Sequence, residues 1–300
     1  MYKMIQYVNK NLYERRKTML ELSENRLELF RAYLYEQEYA GNTVDKYVRD
    51  ISKLRAFCGG EIESKQTLIA FKKHLEESGY RPSSINSILA AVNRFLSFSH
   101  KRDWKLRFLK IQKANFQSRE KELSIREYER LIKAAEDRNE IKLSLIIRTI
   151  CSTGIRVSEL KAIAVPSLED GYAEIRSKGK IRYILIPNRL ASELKRFCRE
   201  NGISSGPVFV SKSGRALDRS NVWKMMKRLK IAASVSGSKI YPHNLRHLFA
   251  RTYYRKYRDI VRLADILGHS SIDTTRIYTI KNALEQKRQI DSLMLMGLTT

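Results

Sequence analysis

The sequence predicts a mainly α-helical protein of two domains that contains one small antiparallel β-sheet. Three observations lead to this prediction. The chain has 300 residues, which is enough for two hydrophobic cores. Apolar residues recur at helical spacing along most of the chain, and only residues 172–186 contain two segments that alternate apolar and polar side chains. With 43% hydrophobic and 30% charged residues, the composition is that of a folded chain.

Residues 23–102 are predicted to form a domain of four short helices. Ser23 can cap the first helix, because its hydroxyl can accept a hydrogen bond from a free backbone N–H. Gly59 and Gly79 are expected to end the second and third helices, and Pro82 to begin the fourth. Each helix carries an apolar stripe on one face, so the four can enclose a common core.

Polar, basic segments lie on both sides of this domain. Residues 1–22 are expected to be an N-terminal extension, and residues 103–119 a basic linker. Seven of residues 101–119 are basic and one is acidic, and Trp104, Phe108 and Phe116 lie between them. Two interpretations remain open: an extended linker along a DNA backbone, or a surface loop whose aromatic side chains pack onto a domain.

Residues 120–279 are predicted to form a second domain of mixed structure. Ser124 and Glu127 have the spacing of a capping box at the start of a helix, and Gly154 is expected to end the next helix. The alternating segments then form a hairpin around Lys178-Gly179-Lys180, and residues 207–210 can add a third short strand. Helices are expected after residue 220, including a C-terminal helix within 280–300.

Charge is the strongest compositional signal. The chain has 58 Lys and Arg against 32 Asp and Glu, a net charge of +26, so a polyanion such as nucleic acid is the expected partner. No apolar run is long enough to span a membrane, and the first residues do not form a signal peptide. The three cysteines are widely separated, which argues against disulfides and zinc binding. We expect a cytoplasmic protein.

The second domain also concentrates the side chains that could act on a phosphodiester. Arg156 lies where one helix ends and another begins, a place where a guanidinium and free backbone N–H groups can bind one anion. His243 and Arg246 are three residues apart and share one face of a helix that is expected to begin at Pro242. His269 follows a glycine that ends a helix, and Tyr278 comes nine residues later. No set of acidic or histidine residues has metal-ligand spacing.

Four motifs in this order make the chain resemble the tyrosine recombinases of the phage-integrase family, in the size and layout of Xer recombinases and mobile-element integrases. The motifs are TGIRVSEL at 153–160, SKGK at 177–180, HNLRH at 243–247 and LGHSSIDTTRIYT at 267–279. The resemblance covers about residues 23–297 and implies a two-domain DNA clamp. The clamp consists of a helical, SAM-like core-binding domain and a mixed α/β catalytic domain.

The resemblance also implies a role for each matching residue. Six positions correspond to the catalytic set of the family: Arg156, Lys178, His243, Arg246, His269 and Tyr278. The two arginines would hold the scissile phosphate, Tyr278 would be the nucleophile, and Lys178 would protonate the leaving oxygen, with Lys180 as the alternative. Glu159 and His247 would support these residues.

The implied activity is site-specific recombination of double-stranded DNA at paired sites, through a 3′-phosphotyrosyl intermediate and a Holliday junction, without ATP or metal. No cofactor, membrane or small-molecule substrate is expected. The resemblance implies a homo-tetramer on DNA in which residues 280–300 dock on a neighbouring subunit. A second recombinase or an accessory protein can also take part. Further candidates for DNA contact are Lys180 on the hairpin and basic or amide side chains on two helices: Asn86, Arg94, Lys224, Lys227 and Arg228.

Two other functions fit the same residues less well. A type IB topoisomerase shares the chemistry but relaxes supercoils, and the short first domain and the docking tail argue against it. A non-cleaving architectural protein of the same fold would not need the six catalytic positions.

Overall fold

The computed structural model describes residues 19–111, 122–177, 180–211, 214–278 and 292, with only the backbone at 177 and 180. The chain divides into two compact units, residues 1–113 and 114–300. In the described ranges, no helix has the length and apolar character needed to cross a bilayer. Both units are mainly helical and strands are few, as the sequence predicts.

The first unit contains the four predicted helices: α1 (Glu24–Glu36), α2 (Gly41–Cys58), α3 (Lys65–Glu77) and α4 (Pro82–Phe98). The Ser23 hydroxyl accepts a hydrogen bond from the backbone N–H of Arg26, which confirms the predicted cap. Gly59 ends α2 with a left-handed backbone, φ +66°. In the core, Phe30 and Phe95 meet edge to face with ring centroids 5.1 Å apart.

The first unit begins before Ser23. Strand β1 (Leu20–Glu21) pairs antiparallel with β2 (Glu61–Ile62), and the side chains of Leu20 and Leu22 are buried in the helical core. The end of the predicted extension is therefore part of this unit, because burying two leucines stabilises its attachment. Residues 1–18 lie outside the described residues.

The start of the predicted linker also packs onto the first unit. Asn93 on α4 accepts a hydrogen bond from the Leu106 backbone N–H at 2.8 Å and donates one to the Leu106 carbonyl at 2.9 Å. The Leu106 side chain is buried, and Trp104 packs against the same core. The packed-loop interpretation is therefore correct for residues 104–109, although Phe108 is exposed. Phe116 lies outside the described residues.

The second unit surrounds a larger core. Its helices are α5 (Ile125–Asp137), α6 (Ile141–Thr153), α7 (Val165–Asp170), α8 (Asn188–Glu200), α9 (Arg219–Lys227), α10 (Pro242–Tyr257), α11 (Ile260–Leu267) and α12 (Ile272–Thr275). Short 3-10 helices cover Val157–Ala162 and Arg276–Tyr278. The capping box at α5 is confirmed, since the Ser124 hydroxyl and the Glu127 carboxylate each accept the other residue's backbone N–H.

The hairpin consists of β3 (Tyr172–Ser177) and β4 (Lys180–Leu185), paired antiparallel. Ser177 pairs with Lys180, so two residues connect the strands instead of the predicted three. The prediction of a third strand at residues 207–210 is wrong, because that segment makes only the isolated bridges Ala164–Pro207 and Val210–Ala216. Bridges that involve one residue pair do not build a ladder.

Candidate active site

Three chain reversals meet in the second unit and bring the predicted residues together. Helix α6 ends at Gly154 and α11 ends at Gly268, each with a left-handed glycine, φ +66° and +62°. Helix α10 begins with Pro242, as the sequence predicts, so His243 and Arg246 lie in its first turns. The carbonyl ends of α6 and α11 therefore face the start of α10, and the unpaired carbonyls there can accept hydrogen bonds.

Arg246 is the buried centre of this arrangement, with only 1% of its surface exposed. Its Nη1 donates to the Gly154 carbonyl at 2.5 Å, and its Nη2 donates to the Leu267 carbonyl at 2.7 Å. The Nε donor is buried and has no hydrogen-bond partner in the described part of the chain. Burial lowers the pKa of this guanidinium to about 10, so it remains charged at neutral pH. The site therefore holds a fixed cation with an unused donor, which fits an anionic acceptor.

Arg156 lies beside Arg246 and is held by Glu159. One oxygen of the Glu159 carboxylate accepts from Nη1 of Arg156 at 3.0 Å, and the other accepts its backbone N–H at 2.8 Å. The Arg156 Nη2 donates to the Gly268 carbonyl at 3.1 Å. The backbone N–H of Arg156 is thus bound to Glu159 and is not available to an anion. The side chain is 38% exposed, so it can still reach a ligand.

His269 connects Arg246 to α12. Its Nε2 lies 3.0 Å from Nη2 of Arg246, and its Nδ1 lies 2.8 Å from Oγ1 of Thr275. Because a guanidinium can only donate, Nε2 is the acceptor and the ring proton is on Nδ1, which donates to Thr275. Burial and the charges of Arg246 and Arg156 lower the pKa of His269 to about 4. The ring is therefore neutral at physiological pH.

A line of aromatic rings leads from His243 to Tyr278. The His243 and His247 rings meet edge to face at 4.3 Å between centroids, and His247 meets Tyr278 at 5.3 Å. Burial raises the pKa of Tyr278, and the charges of Arg246, Arg251 and Arg156 oppose this rise. Burial, followed by the neighbouring charges, lowers the pKa of His243 and brings that of His247 to about 3. Both rings are thus neutral and can accept a proton.

The structure describes less of the two hairpin lysines than of the other predicted site residues. Lys178 lies outside the described residues, and Lys180 begins β4. Arg182 follows on the same strand and contacts Glu159, so the hairpin adjoins the arginine pair. Within the described residues, no three metal-ligating side chains lie together.

The candidates for DNA contact differ in their surroundings. Asn86 donates to the Leu109 carbonyl and accepts the Leu109 backbone N–H, so its amide holds the packed linker in place. Arg94 stacks between Tyr33 and Tyr39, with its guanidinium carbon 5.3 and 5.1 Å from the ring centroids. These two side chains have structural partners that the sequence did not indicate.

Lys224 on α9 and Arg228 directly after it are exposed, whereas the Lys227 ammonium donates to the Gly237 carbonyl. DNA contact by these three side chains stays a prediction.

Sequence reasoning missed two residues of the site, Arg182 and Thr275. Arg182 is a charged residue on the face of β4 that also buries Ile184, and a charge on a buried strand face was the available signal. Thr275 is buried and follows His269 by six residues, a spacing that does not predict a contact between the two side chains.

Comparisons with known proteins agree with this geometry. The sequence model of the Phage integrase family matches residues 121–285, and that of the phage integrase N-terminal SAM-like domain matches residues 27–103. The chain belongs to the phage integrase family. The predicted SAM-like domain and the predicted integrase domain are both confirmed, because each matches a family model.

Curated members of the phage integrase family align with this chain along most of its length. It is 30% identical to tyrosine recombinase XerA of Pyrococcus furiosus over 283 residues, 89% of this chain and 96% of the relative. It is also 30% identical to XerD of Halalkalibacterium halodurans, over 87% of this chain and 94% of the relative. Its relatives are therefore tyrosine recombinases, enzymes that cleave and rejoin DNA.

Solved integrase structures share the fold at low sequence identity. A lambda integrase dimer bound to a core site has a TM-score of 0.70 at 19% identity and covers 90% of this chain and 80% of that chain. XerH bound to its difH substrate after cleavage has a TM-score of 0.65 at 22% identity, covering 84% and 79%. The fold class predicted from the sequence is confirmed.

Proposed function

We propose that this chain is a site-specific DNA recombinase that cleaves and rejoins double-stranded DNA through Tyr278. One observation carries the proposal: at the junction of α6, α10 and α11, the Tyr278 ring packs against His247 and lies in the field of Arg246 and Arg156. His243 contacts His247, and His269 contacts Arg246. Family membership and the net charge of +26 support a DNA substrate. Such a substrate also implies action inside the cell.

The first chemical step is attack of the Tyr278 oxygen on the scissile phosphorus. Complete ionisation of tyrosine at pH 7 costs about 4 kcal/mol from its ordinary pKa near 10, and burial increases this cost. The proton therefore leaves during attack, and neutral His243 is the proposed base that accepts it. Negative charge grows on the nonbridging oxygens, where Arg156 and Arg246 can donate paired hydrogen bonds.

The second half of the step is departure of the 5′ oxygen. The P–O bond breaks, the proposed general acid Lys178 supplies a proton to the leaving oxygen, and a 3′-phosphotyrosyl bond remains. Lys180 stays the alternative acid. Because the covalent bond retains the free energy of the phosphodiester, the 5′-hydroxyl of another strand can attack it and release Tyr278 without ATP. Two rounds of exchange give a Holliday junction and then recombinants.

We propose that the enzyme acts as a tetramer in which residues 280–300 of one subunit dock on the next. Apart from Ser292, these residues lie outside the described ranges, and their sequence carries an apolar stripe that includes Ile280, Leu284 and Met294. The second unit has a cavity of about 1040 Å³, lined mostly by apolar side chains such as Leu185, Leu248, Phe249, Tyr253 and Ile266. Apolar burial of this kind favours an amphipathic helix.

Docking can be tested with two variants that each add one carboxylate. Leu284→Asp places it on the stripe and Gln289→Asp places it on the opposite helical face. Assemblies on DNA are measured by mass photometry. We expect Leu284→Asp to reduce tetramers and Gln289→Asp to retain them. Equal assembly of both variants would contradict docking through the stripe.

Covalent capture in cells tests the proposed function. Wild type, Tyr278→Phe and the control Tyr35→Phe, an exposed tyrosine of the first unit, are expressed and lysed in SDS, and protein-linked DNA is sequenced. Adducts at discrete sites with wild type and Tyr35→Phe, absent with Tyr278→Phe, are the expected result. Scattered adducts would indicate a topoisomerase, and tight DNA binding without adducts would indicate an architectural protein.

A further inference from the structure

Arg182 is a buried arginine of the active site that has no role in the proposed chemistry. It lies on β4, two residues after the strand begins, and only 14% of its side chain is exposed. Its Nη2 donates to Oε2 of Glu159 at 2.5 Å, and its Nη1 donates to the Ile266 carbonyl at 2.6 Å. One side chain therefore connects the hairpin to Glu159 and to the end of α11.

The end of α11 accepts three guanidinium groups in succession. The carbonyls of Ile266, Leu267 and Gly268 accept from Arg182, Arg246 and Arg156, one carbonyl for each arginine. These are the last carbonyls of the helix, which have no partner within it and lie at the negative end of its dipole. They can therefore hold three like charges close together.

Glu159 provides the second link between the same groups. Its carboxylate binds Arg156 through one oxygen and Arg182 through the other, and its side chain is only 10% exposed. A carboxylate shared by two guanidiniums fixes the distance between them, because each charge-assisted hydrogen bond restricts its partner. Arg156 retains its own hydrogen bonds to Glu159 and to the Gly268 carbonyl when Arg182 is replaced, so the Arg182 bond to this carboxylate anchors the hairpin more than it anchors Arg156.

Among the described side chains of the hairpin, few others are anchored near its connection. Along β4, the side chains of Ile181, Tyr183 and Leu185 are all more than half exposed. Arg182 stands opposite Ile175, which is buried, and among the side chains that the structure describes this is the inward-facing pair closest to the connection. Of these two residues, Arg182 is the one whose side chain makes hydrogen bonds to the rest of the site, to Glu159 and to the Ile266 carbonyl.

Arg182 packs closely against Gly268, and it also lines the cavity of the second unit. A Cβ added to Gly268 would lie 2.6 Å from Nε of Arg182, so a residue other than glycine there would displace the guanidinium. The left-handed backbone at Gly268 allows the α11 carbonyls and the arginine to approach this closely.

We propose that Arg182 is a positioning residue that fixes the hairpin lysine relative to the two phosphate-binding arginines. The proposal rests on the proposed function, and it holds whether Lys178 or Lys180 is the general acid, since both lie within four residues of Arg182. Arg182 does not touch the phosphate. Its effect on cleavage passes through the placement of the lysine.

Hydrogen exchange on the free protein tests the anchoring without DNA. The variants are Arg182→Met, which keeps the length of the side chain and removes both bonds, and Arg182→Lys, which keeps the charge. The control is Arg189→Met, whose side chain is 91% exposed. We expect amides of 172–186 to exchange at least about tenfold faster in Arg182→Met. Exchange in α6 should stay at the wild-type rate, which shows that the fold is intact, and unchanged hairpin exchange would overturn the proposal.

The second measurement asks whether the lysine is what Arg182 positions. The duplex identified by covalent capture is prepared with the natural scissile phosphate and with a 5′-bridging sulfur in place of the leaving oxygen. A thiol has a pKa near 8.5, so a 5′-thiolate leaves without a proton from a general acid. With oxygen, we expect Arg182→Met to cleave about 10²-fold more slowly than wild type.

The sulfur substrate separates the outcomes. We expect it to restore Arg182→Met to within about threefold of wild type, since protonation no longer limits the rate. Equal loss on both substrates would overturn the proposal, because Arg182 would then act on the phosphate-binding arginines or on the fold. If wild type cleaves neither substrate, the proposed function fails, and hydrogen exchange still decides whether Arg182 anchors the hairpin.

Discussion

Two constraints act on Gly154: its left-handed backbone and its close packing against a neighbouring ring. It ends α6 with a φ of +66°, and its carbonyl accepts the Nη1 hydrogen bond of Arg246. A Cβ built on Gly154 would lie 2.5 and 2.7 Å from two ring carbons of Phe249 and 3.1 Å from Leu267. Gly154→Ala therefore introduces both a left-handed alanine and an overlap with a partly buried ring.

A matched glycine isolates the second effect. Gly171 ends α7 with a φ of +75°, and a Cβ added there meets nothing within 4 Å. A left-handed alanine costs about 1–2 kcal/mol at either position. Overlap at Gly154 adds about 1–3 kcal/mol, because the Phe249 ring must move within a packed region. The difference between the two variants is thus about 2 kcal/mol, or about 4–8 °C in Tm for a unit of this size.

The two tryptophans allow the second unit to be observed alone. Trp104 is in the first unit and Trp223 on α9 is in the second, so a Trp104→Phe background leaves Trp223 as the reporter. Unfolding by heat and by urea is followed in this background for Gly154→Ala and Gly171→Ala. Equal midpoints for the two variants would refute the steric argument. A displaced Gly154 carbonyl should also slow DNA cleavage, whereas Gly171→Ala should cleave at the wild-type rate.

Four further outcomes follow from the site and from the packed linker. Arg246→Lys should slow covalent cleavage by at least about 10²-fold, because an ammonium cannot reproduce the planar set of donors, and denaturing gels of adducts measure this. The acid limb of the cleavage rate should lie below pH 6.5, because burial and nearby arginines lower the pKa of His243; a limb above pH 6.5 would exclude it as the base. The pKa of His247 is about 3 in the folded protein, so between pH 6.5 and 3 this residue binds a proton only in the unfolded chain. The free energy of unfolding should therefore decrease as the pH is lowered, by up to about 1.4 kcal/mol per pH unit, and His247→Gln should flatten this slope in urea titrations. Asn93→Ala removes both partners of the Leu106 backbone and should cost the first unit about 1–3 kcal/mol, with faster proteolysis at residues 104–109.

Local signals in the sequence were sufficient for most helix boundaries. Ser23, Ser124 and Pro242 are at the helix starts predicted for them, because capping and a fixed φ depend on neighbouring residues alone. Gly154 likewise ends its helix as predicted. The strand predicted at 207–210 was wrong. Its apolar run fits a strand, but pairing requires a partner strand, which depends on the tertiary fold.

The interpretation of the two flanking segments needed tertiary structure for the same reason. Their basic composition was compatible with solvated chain and, for the linker, equally with packing onto a domain; Leu20 and Leu22 at one end and Leu106 at the other are in fact buried. Charged residues at the surface dominated the composition, whereas a few leucines and the amide of Asn93 determined the packing.

The sequence alone determined the family and the fold class, and it predicted the DNA substrate and the catalytic set, because charge and motif spacing are properties of the chain itself. Only tertiary structure decided how those residues are held. The Nδ1–H tautomer of His269, the shared carboxylate of Glu159 and the inclusion of Arg182 depend on hydrogen bonds between residues far apart in sequence. The helix end at 266–268 binds three arginines because folding brings its unpaired carbonyls to them, a contact that no local pattern encodes.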